Sequence, residues 1–242
     1  MCNRIMALFT GVFLLVVSLP AEGAPASSFD SVYNAAGQVA YIATMLQSKG
    51  ELKKKTVIID PGHGGSDTGA IGLNGVKEKD VTLAVGLELR QLLAAAGAKV
   101  LMTRTTDRDV AFNGATDVQE LAARSAIANK AGADLFISLH ADAFANHAAR
   151  GSTIYYFPKT SADELLAESI QYQVNQSEGL FDRGSQENDF YVLDHTEMPS
   201  ALVEMAFISN PDEEKLLRSK AFQKKAALGI YKGLLAYFQK TN

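Results

Sequence analysis

From Thr56 to the C-terminus, short runs rich in β-branched and aromatic residues alternate with helix-period patterns, and this alternation restricts the fold more than any other feature. Short apolar runs separated by amphipathic helices are buried together when the strands form one sheet covered by helices on both faces, which is the α/β class. The runs predict strands at Thr56 to Asp60, Lys99 to Thr103, Asp134 to Leu139, Ser152 to Phe157, Asp189 to Leu193 and Ala201 to Ala206. Helices are expected near Lys79 to Ala95, Asp117 to Ala131 and Ala162 to Gln176, with a C-terminal pair after the last strand. Asn210 suits the cap of that pair, Pro211 its first position, and Asp212, Glu213 and Glu214 the positive end of its dipole. No repeat or second core is apparent, so residues 56–242 read as one domain.

The chain has 242 residues, 47% hydrophobic and 21% charged, a make-up that excludes disorder and collagen-like repeats. Its formal charge of −4 leaves no surplus of cations for phosphates, so nucleic acid is not an expected partner. Arg4, the apolar run Ile5 to Leu19 and the small residues around Ala21 to Ala26 follow the order of a secretory signal, cleaved after Gly23 or Ala26. Residues 1–26 are therefore assigned to a signal peptide, and no stable membrane insertion is expected once it is removed. Cys2, the single cysteine, precedes the apolar run, so it is not placed as a lipid anchor and leaves with the signal. Any metal site must then rest on His, Asp or Glu. Between the signal and the domain, residues 27–55 carry a helical apolar stripe from Phe29 to Leu46 and the basic run Lys53 to Lys55.

Chemistry in open α/β sheets gathers at strand ends, and three of the expected strands end in candidates. The first runs into Pro61-Gly62-His63-Gly64-Gly65, where glycines leave the imidazole accessible; the third finishes with His140; the sixth sets Glu204 inside an apolar run. An unpaired buried Glu204 is costly and needs compensation. The glycine-rich loop matches neither dinucleotide nor phosphate-loop spacing, no Gly-x-Ser-x-Gly elbow is present, and His147 and His195 read as surface or loop residues. Two imidazoles without thiols suggest a two-His, one-carboxylate zinc with a position left for water. For the third ligand the residues leave Asp60, Asp67, Glu78, Asp80 and Asp142 open.

Four blocks, in order, are Val57-Ile-Ile-Asp-Pro-Gly-His-Gly-Gly, Lys77-Glu78-Lys79-Asp80-Val81, Leu135-Phe-Ile-Ser-Leu-His-Ala-Asp and Leu202-Val-Glu-Met-Ala-Phe-Ile-Ser-Asn. Together they resemble the zinc-dependent N-acetylmuramoyl-L-alanine amidases of bacterial cell-wall turnover, from about Thr56 to Phe238. Lesser matches are Arg124 with Ala128-Asn129, Arg150-Gly151 and Met198-Pro199, while Met205-Ala206 stands where a small residue and glycine are usual. The resemblance implies a three-layer α/β/α fold with a mixed six-stranded sheet. It implies zinc bound by His63, Glu78 and His140, and a catalytic Glu204.

The expected activity is hydrolysis of the amide between the lactyl group of N-acetylmuramic acid and the L-alanine of the stem peptide. Peptidoglycan is the expected substrate and the periplasm or cell wall the expected location. A carboxypeptidase-like zinc hydrolase would hold its first His and Glu close together on one loop, unlike His63 and Glu78. A non-catalytic wall binder would be expected to have lost one of the four residues. Some larger relatives are understood to cover the zinc with a helix inserted between the fourth and fifth strands. Pro158 to Asn188 leaves room for one packing helix followed by a polar stretch, so the chain is expected to act as a monomer with no obligatory activator.

Overall fold

The computed structural model describes residues 50–241 together with Ala43 and Thr44, which are helical. The signal segment and nearly all of the stripe from Phe29 to Leu46 lie outside the described residues. Six strands form one sheet in the order β2-β1-β3-β6-β4-β5. They are β1 (Thr56–Pro61), β2 (Lys99–Met102), β3 (Leu135–Asp142), β4 (Ser152–Tyr156), β5 (Asp182–Glu187) and β6 (Ser200–Phe207). The sheet is mixed: β2, β1, β3 and β6 run parallel, β4 is antiparallel to β6, and β5 is parallel to β4. One end of the sheet therefore collects the C-terminal ends of β1, β3 and β6 and the N-terminal ends of β4 and β5.

The helices are α1 (Glu78–Ala95), α2 (Asp117–Ala131), α3 (Ser161–Glu178), α4 (Tyr191–Asp194), α5 (Pro211–Leu217) and α6 (Lys220–Thr241). Local chemistry sets their starts. Thr116 with Gln119 and Thr160 with Asp163 form capping boxes, and the Asn210 side chain accepts from Asp212 N and Glu213 N ahead of Pro211. None of the helices is long and apolar enough to cross a membrane among the described residues.

Period-2 alternation divides the strand residues between two cores. Val57, Ile59, Leu135, Ile137, Val203 and Ile154 point to a large apolar cluster under α1, α3 and α6, which Leu52 also joins. Ile58, Phe136 and Leu202 point to a smaller cluster with Ala128 of α2 and Val192 and Leu193 of α4. On the larger side α6 crosses α3 closely: a Cβ built at Gly233 would lie 2.5 Å from Ile170 Cα.

The expected strand at Asp189 to Leu193 is not one. That run holds α4, whose Val192 and Leu193 cover the second face of the sheet, and the fifth strand is the preceding polar stretch Asp182–Glu187. An edge strand pairs on one side and here is largely exposed, so its sequence carries no apolar alternation to announce it. The stretch expected to be a polar remnant thus completes the sheet.

Candidate metal centre and active site

The β1–α1 loop is held from beneath by two buried arginines. Arg124 Nη1 donates to Asp60 Oδ1 (2.8 Å) and Pro61 O (2.9 Å), and its Nη2 donates to His63 O (2.8 Å). Arg104 donates to Pro61 O (3.0 Å), Gly62 O (2.9 Å) and Lys79 O (2.8 Å). These bonds satisfy the carbonyls of the turn and hold His63 at φ +61°, a backbone region unfavourable to a residue with a Cβ. Asp60 also accepts from Thr103 and Ser138 hydroxyls. Burial alone would push its carboxyl up, but Arg124 and these donors prevail and hold it below its ordinary value.

This support aims His63 at the first turn of α1 and the end of β3. His63 Nε2 lies 3.0 Å from Glu78 Oε1, and His140 Nδ1 lies 3.0 Å from the same oxygen. The ligand atoms of the three residues all fall within 4.8 Å of one another, a group that could hold a metal ion. Glu78 is fixed at both oxygens: Oε2 accepts from Ala70 N (2.9 Å) and Oε1 from Ala141 N (3.0 Å). Burial pushes the Glu78 carboxyl up, but the hydrogen bonds and charges of His140 and His63 outweigh it and keep it well below the carboxylate range.

The donor set fits a divalent ion: two imidazole nitrogens and one carboxylate oxygen, with the thiol-free chemistry of a catalytic zinc site. The surroundings fit as well. A Cβ at Gly62 would sit 2.3 Å from His140 Cε1, and one at Gly69 would sit 2.7 Å from both Glu78 Oε2 and His63 Cδ2. Only glycine lets the backbone approach the three side chains this closely.

Of the five carboxylates left open by the sequence, only Glu78 joins the two histidines. Asp60 is buried with Arg124, and Asp80 is exposed on α1. Asp67 stands one step behind the group, its Oδ2 2.6 Å from His63 Nδ1, and it also accepts from Gly69 N. A carboxylate on the far nitrogen of a ligating histidine fixes the ring and raises its basicity. Burial opposes charge on His63, yet Glu78 and Asp67 together raise the imidazole's pKa. His147 bonds Ser209 O, and His195 stacks on Tyr191; neither joins the metal group.

Glu204 is the direct register partner of His140 across the β3–β6 ladder, and of Thr153 across the β6–β4 ladder. Its Oε2 is buried without a hydrogen-bond partner, as is the hydroxyl oxygen of Thr153 opposite it. Burial, then Glu78 and Asp142, pushes the Glu204 carboxyl well above its ordinary value. A buried carboxylate oxygen without a partner is costly, and here it faces a second unpartnered group, the Thr153 hydroxyl.

Several residues that shape the site were not recognised in the sequence. Arg104 had no motif to mark it. Glu213 and Glu214, expected only to complement a helix dipole, are buried ties: Glu213 accepts from Gly151 N (2.8 Å) and Phe207 N (2.7 Å), and Glu214 from Asn74 N (2.8 Å). Through Asn74 and Val76, Glu214 anchors the loop leading into Glu78.

The N-acetylmuramoyl-L-alanine amidase family model matches residues 57–236. The chain is 36% identical over 193 residues to the germination-specific N-acetylmuramoyl-L-alanine amidase of Bacillus subtilis, covering 77% of this chain and 81% of that protein. It is 34% identical to the N-acetylmuramoyl-L-alanine amidase AmiA of Escherichia coli, covering 76% of each. Among solved structures, the CwlD amidase of Clostridioides difficile, in complex with the GerS lipoprotein, superposes with a TM-score of 0.73 at 32% identity. That match covers 77% of this chain and 100% of the amidase. The ordered motifs, the mixed sheet and the His-Glu-His group at its catalytic end agree with these matches, and the chain belongs to the N-acetylmuramoyl-L-alanine amidase family of zinc-dependent peptidoglycan hydrolases.

Proposed function

We propose that this protein hydrolyses the amide between the lactyl group of N-acetylmuramic acid and the L-alanine of the stem peptide, with zinc held by His63, Glu78 and His140. The observation that carries this reading is the convergence of those three side chains beside Glu204, the register neighbour of His140. Zinc bound there supplies Lewis acidity for the scissile carbonyl, a water with a pKa near 7 rather than about 15.7, and positive charge favouring an ionised Glu204.

The chain's own residues supply the rest. His63 is oriented by Asp67, and Glu78 is immobilised by two backbone amides, so the donors are arranged before any ion arrives. Glu204, adjacent to the ligands but outside the group, takes a proton from the attacking water and delivers it to the departing alanine amine. Its partnerless Oε2 favours a mobile proton over a permanent ion pair.

Export to the periplasm or wall, guided by residues 1–26, belongs to the same reading. So does activity without an obligatory partner, which the accessible imidazoles (side chains 23% and 21% exposed) and the single helix between β4 and β5 support. The test is digestion of purified peptidoglycan by the mature protein alone, then after chelation, then after zinc is restored. New amino termini should appear, vanish and return in that order. Activity unaffected by complete metal removal contradicts the reading.

A further inference from the structure

Two guanidinium groups, Arg150 and Arg183, reach the catalytic end of the sheet without an ion-pair partner among the described residues. Of the two, Arg183 is the one that lies against the strand carrying Glu204. It is the second residue of β5, yet its guanidinium carbon lies 5.1 Å over the ring of Phe207, at the end of the strand that carries Glu204. The side chain therefore lies back across the edge of the sheet, on an exposed residue whose Nη1 donates a long bond to Arg150 O (3.5 Å). Asp142 and Tyr155 both sense its charge without pairing with it.

The sheet order gives this position a meaning for the substrate. If Glu204 hands its proton to the departing amine, the peptide half of the substrate lies on the Glu204 side of the metal ligands. From there the sheet continues through β4 to the N-terminal end of β5. Two strand spacings are roughly 10 Å and an extended residue spans about 3.3–3.6 Å. Because Arg183 reaches back toward β6, a carboxylate one or two residues beyond the scissile amide comes within its range. A planar fork of donors suits a carboxylate, and the aromatic ring beneath limits its rotation.

We infer that Arg183 forms a carboxylate-binding subsite for the leaving stem peptide, so that the enzyme favours peptidoglycan whose second stem residue has a free α-carboxylate over the same material carrying an amide there. This rests on the proposed amidase reading and on Glu204 as the group facing the departing amine.

The experiment uses two muropeptides that differ only at that carboxyl, with wild type, Arg183→Met and Arg183→Lys. Wild type should favour the acid by about tenfold in kcat/KM, the order expected for one charge-assisted hydrogen bond at an exposed site. Arg183→Met, which keeps an apolar stem over Phe207, should lose that preference through KM, while Arg183→Lys retains part of it. In wild type, raising salt to about 1 M, where the Debye length is about 3 Å, should shrink the preference. Equal use of the two substrates by wild type, or an equal loss on both in Arg183→Met, overturns the subsite while leaving the amidase reading intact. Release of no peptide from either substrate by wild type overturns the reaction itself.

Discussion

The two faces of the sheet are built on different principles. Under α1, α3 and α6 lies an almost wholly apolar core, close enough packed that α6 needs glycines where it meets α3. On the other face the apolar cluster is small, and along the same strand alternation the positions become polar: buried Asp60 and Ser138, then the partly exposed His140 and Glu204. One face supplies apolar burial; the other face and the strand ends use hydrogen bonds, the buried Arg124 and Arg104 and a left-handed histidine to fix a set of side chains there. The site can carry orphaned and strained groups because the opposite face holds the sheet together.

Substitutions on the polar face should separate metal binding, catalysis and support. His140→Ala should lose metal and activity together, measured by metal analysis and peptide release, whereas Glu204→Gln should keep its metal and lose at least about a hundredfold in turnover. Near-normal turnover of Glu204→Gln would remove its assigned role. Asp60→Asn should cost about 3 kcal/mol in denaturant unfolding at pH 7, because it leaves the buried Arg124 with only the more distant Glu120 carboxylate, 3.6 Å away, to balance its charge. Since the folded-state pKa of Asp60 lies below its unfolded value of about 3.9, its ionisation favours folding above that pH. The difference between wild type and variant should therefore narrow as pH falls below that range, through the folded value. Asp67→Asn should weaken metal affinity about ten- to a hundredfold by loosening the hold on His63, with the fold unchanged by circular dichroism.

The smallest effect sharpens the comparison most. Glu178, at the end of α3, also has buried carboxylate oxygens without hydrogen-bond partners; burial, with Glu213 nearby, pushes its pKa well up. An acid with a raised folded-state pKa destabilises the fold as pH rises through its unfolded value of about 4.3. Glu178→Gln should thus stabilise the protein at pH 7 by about 1–3 kcal/mol, lose that advantage near pH 4, and leave peptide release unchanged. The two orphaned carboxylates would then differ in kind: Glu178 a stability cost, Glu204 the proposed general base.

The apolar face was the more legible in sequence, because helix and strand periods report burial directly. Five of the six strands carried such a signal; β5 did not, since an exposed edge has no apolar side to record, and the apolar run at α4 took its place. His63, His140 and Glu204 were legible because each interrupts a strand or follows it through glycines. The choice of Glu78 over four other carboxylates was not available from spacing, since it depends on where α1 starts relative to β3. It came from resemblance. The roles of Arg104, Glu213 and Glu214 depend on bonds to backbone carbonyls and amides far away in sequence, which leave no pattern in the residues themselves.

The central claim is that this strand-end group cuts one bond, the muramoyl amide. Mass analysis of purified peptidoglycan digested by the mature protein tests it most directly. Cleavage there leaves intact glycan chains with free lactyl carboxylates and releases stem peptides that begin with an L-alanine amine. Glycan fragments still bearing their peptides, or peptides shortened from within, would contradict it.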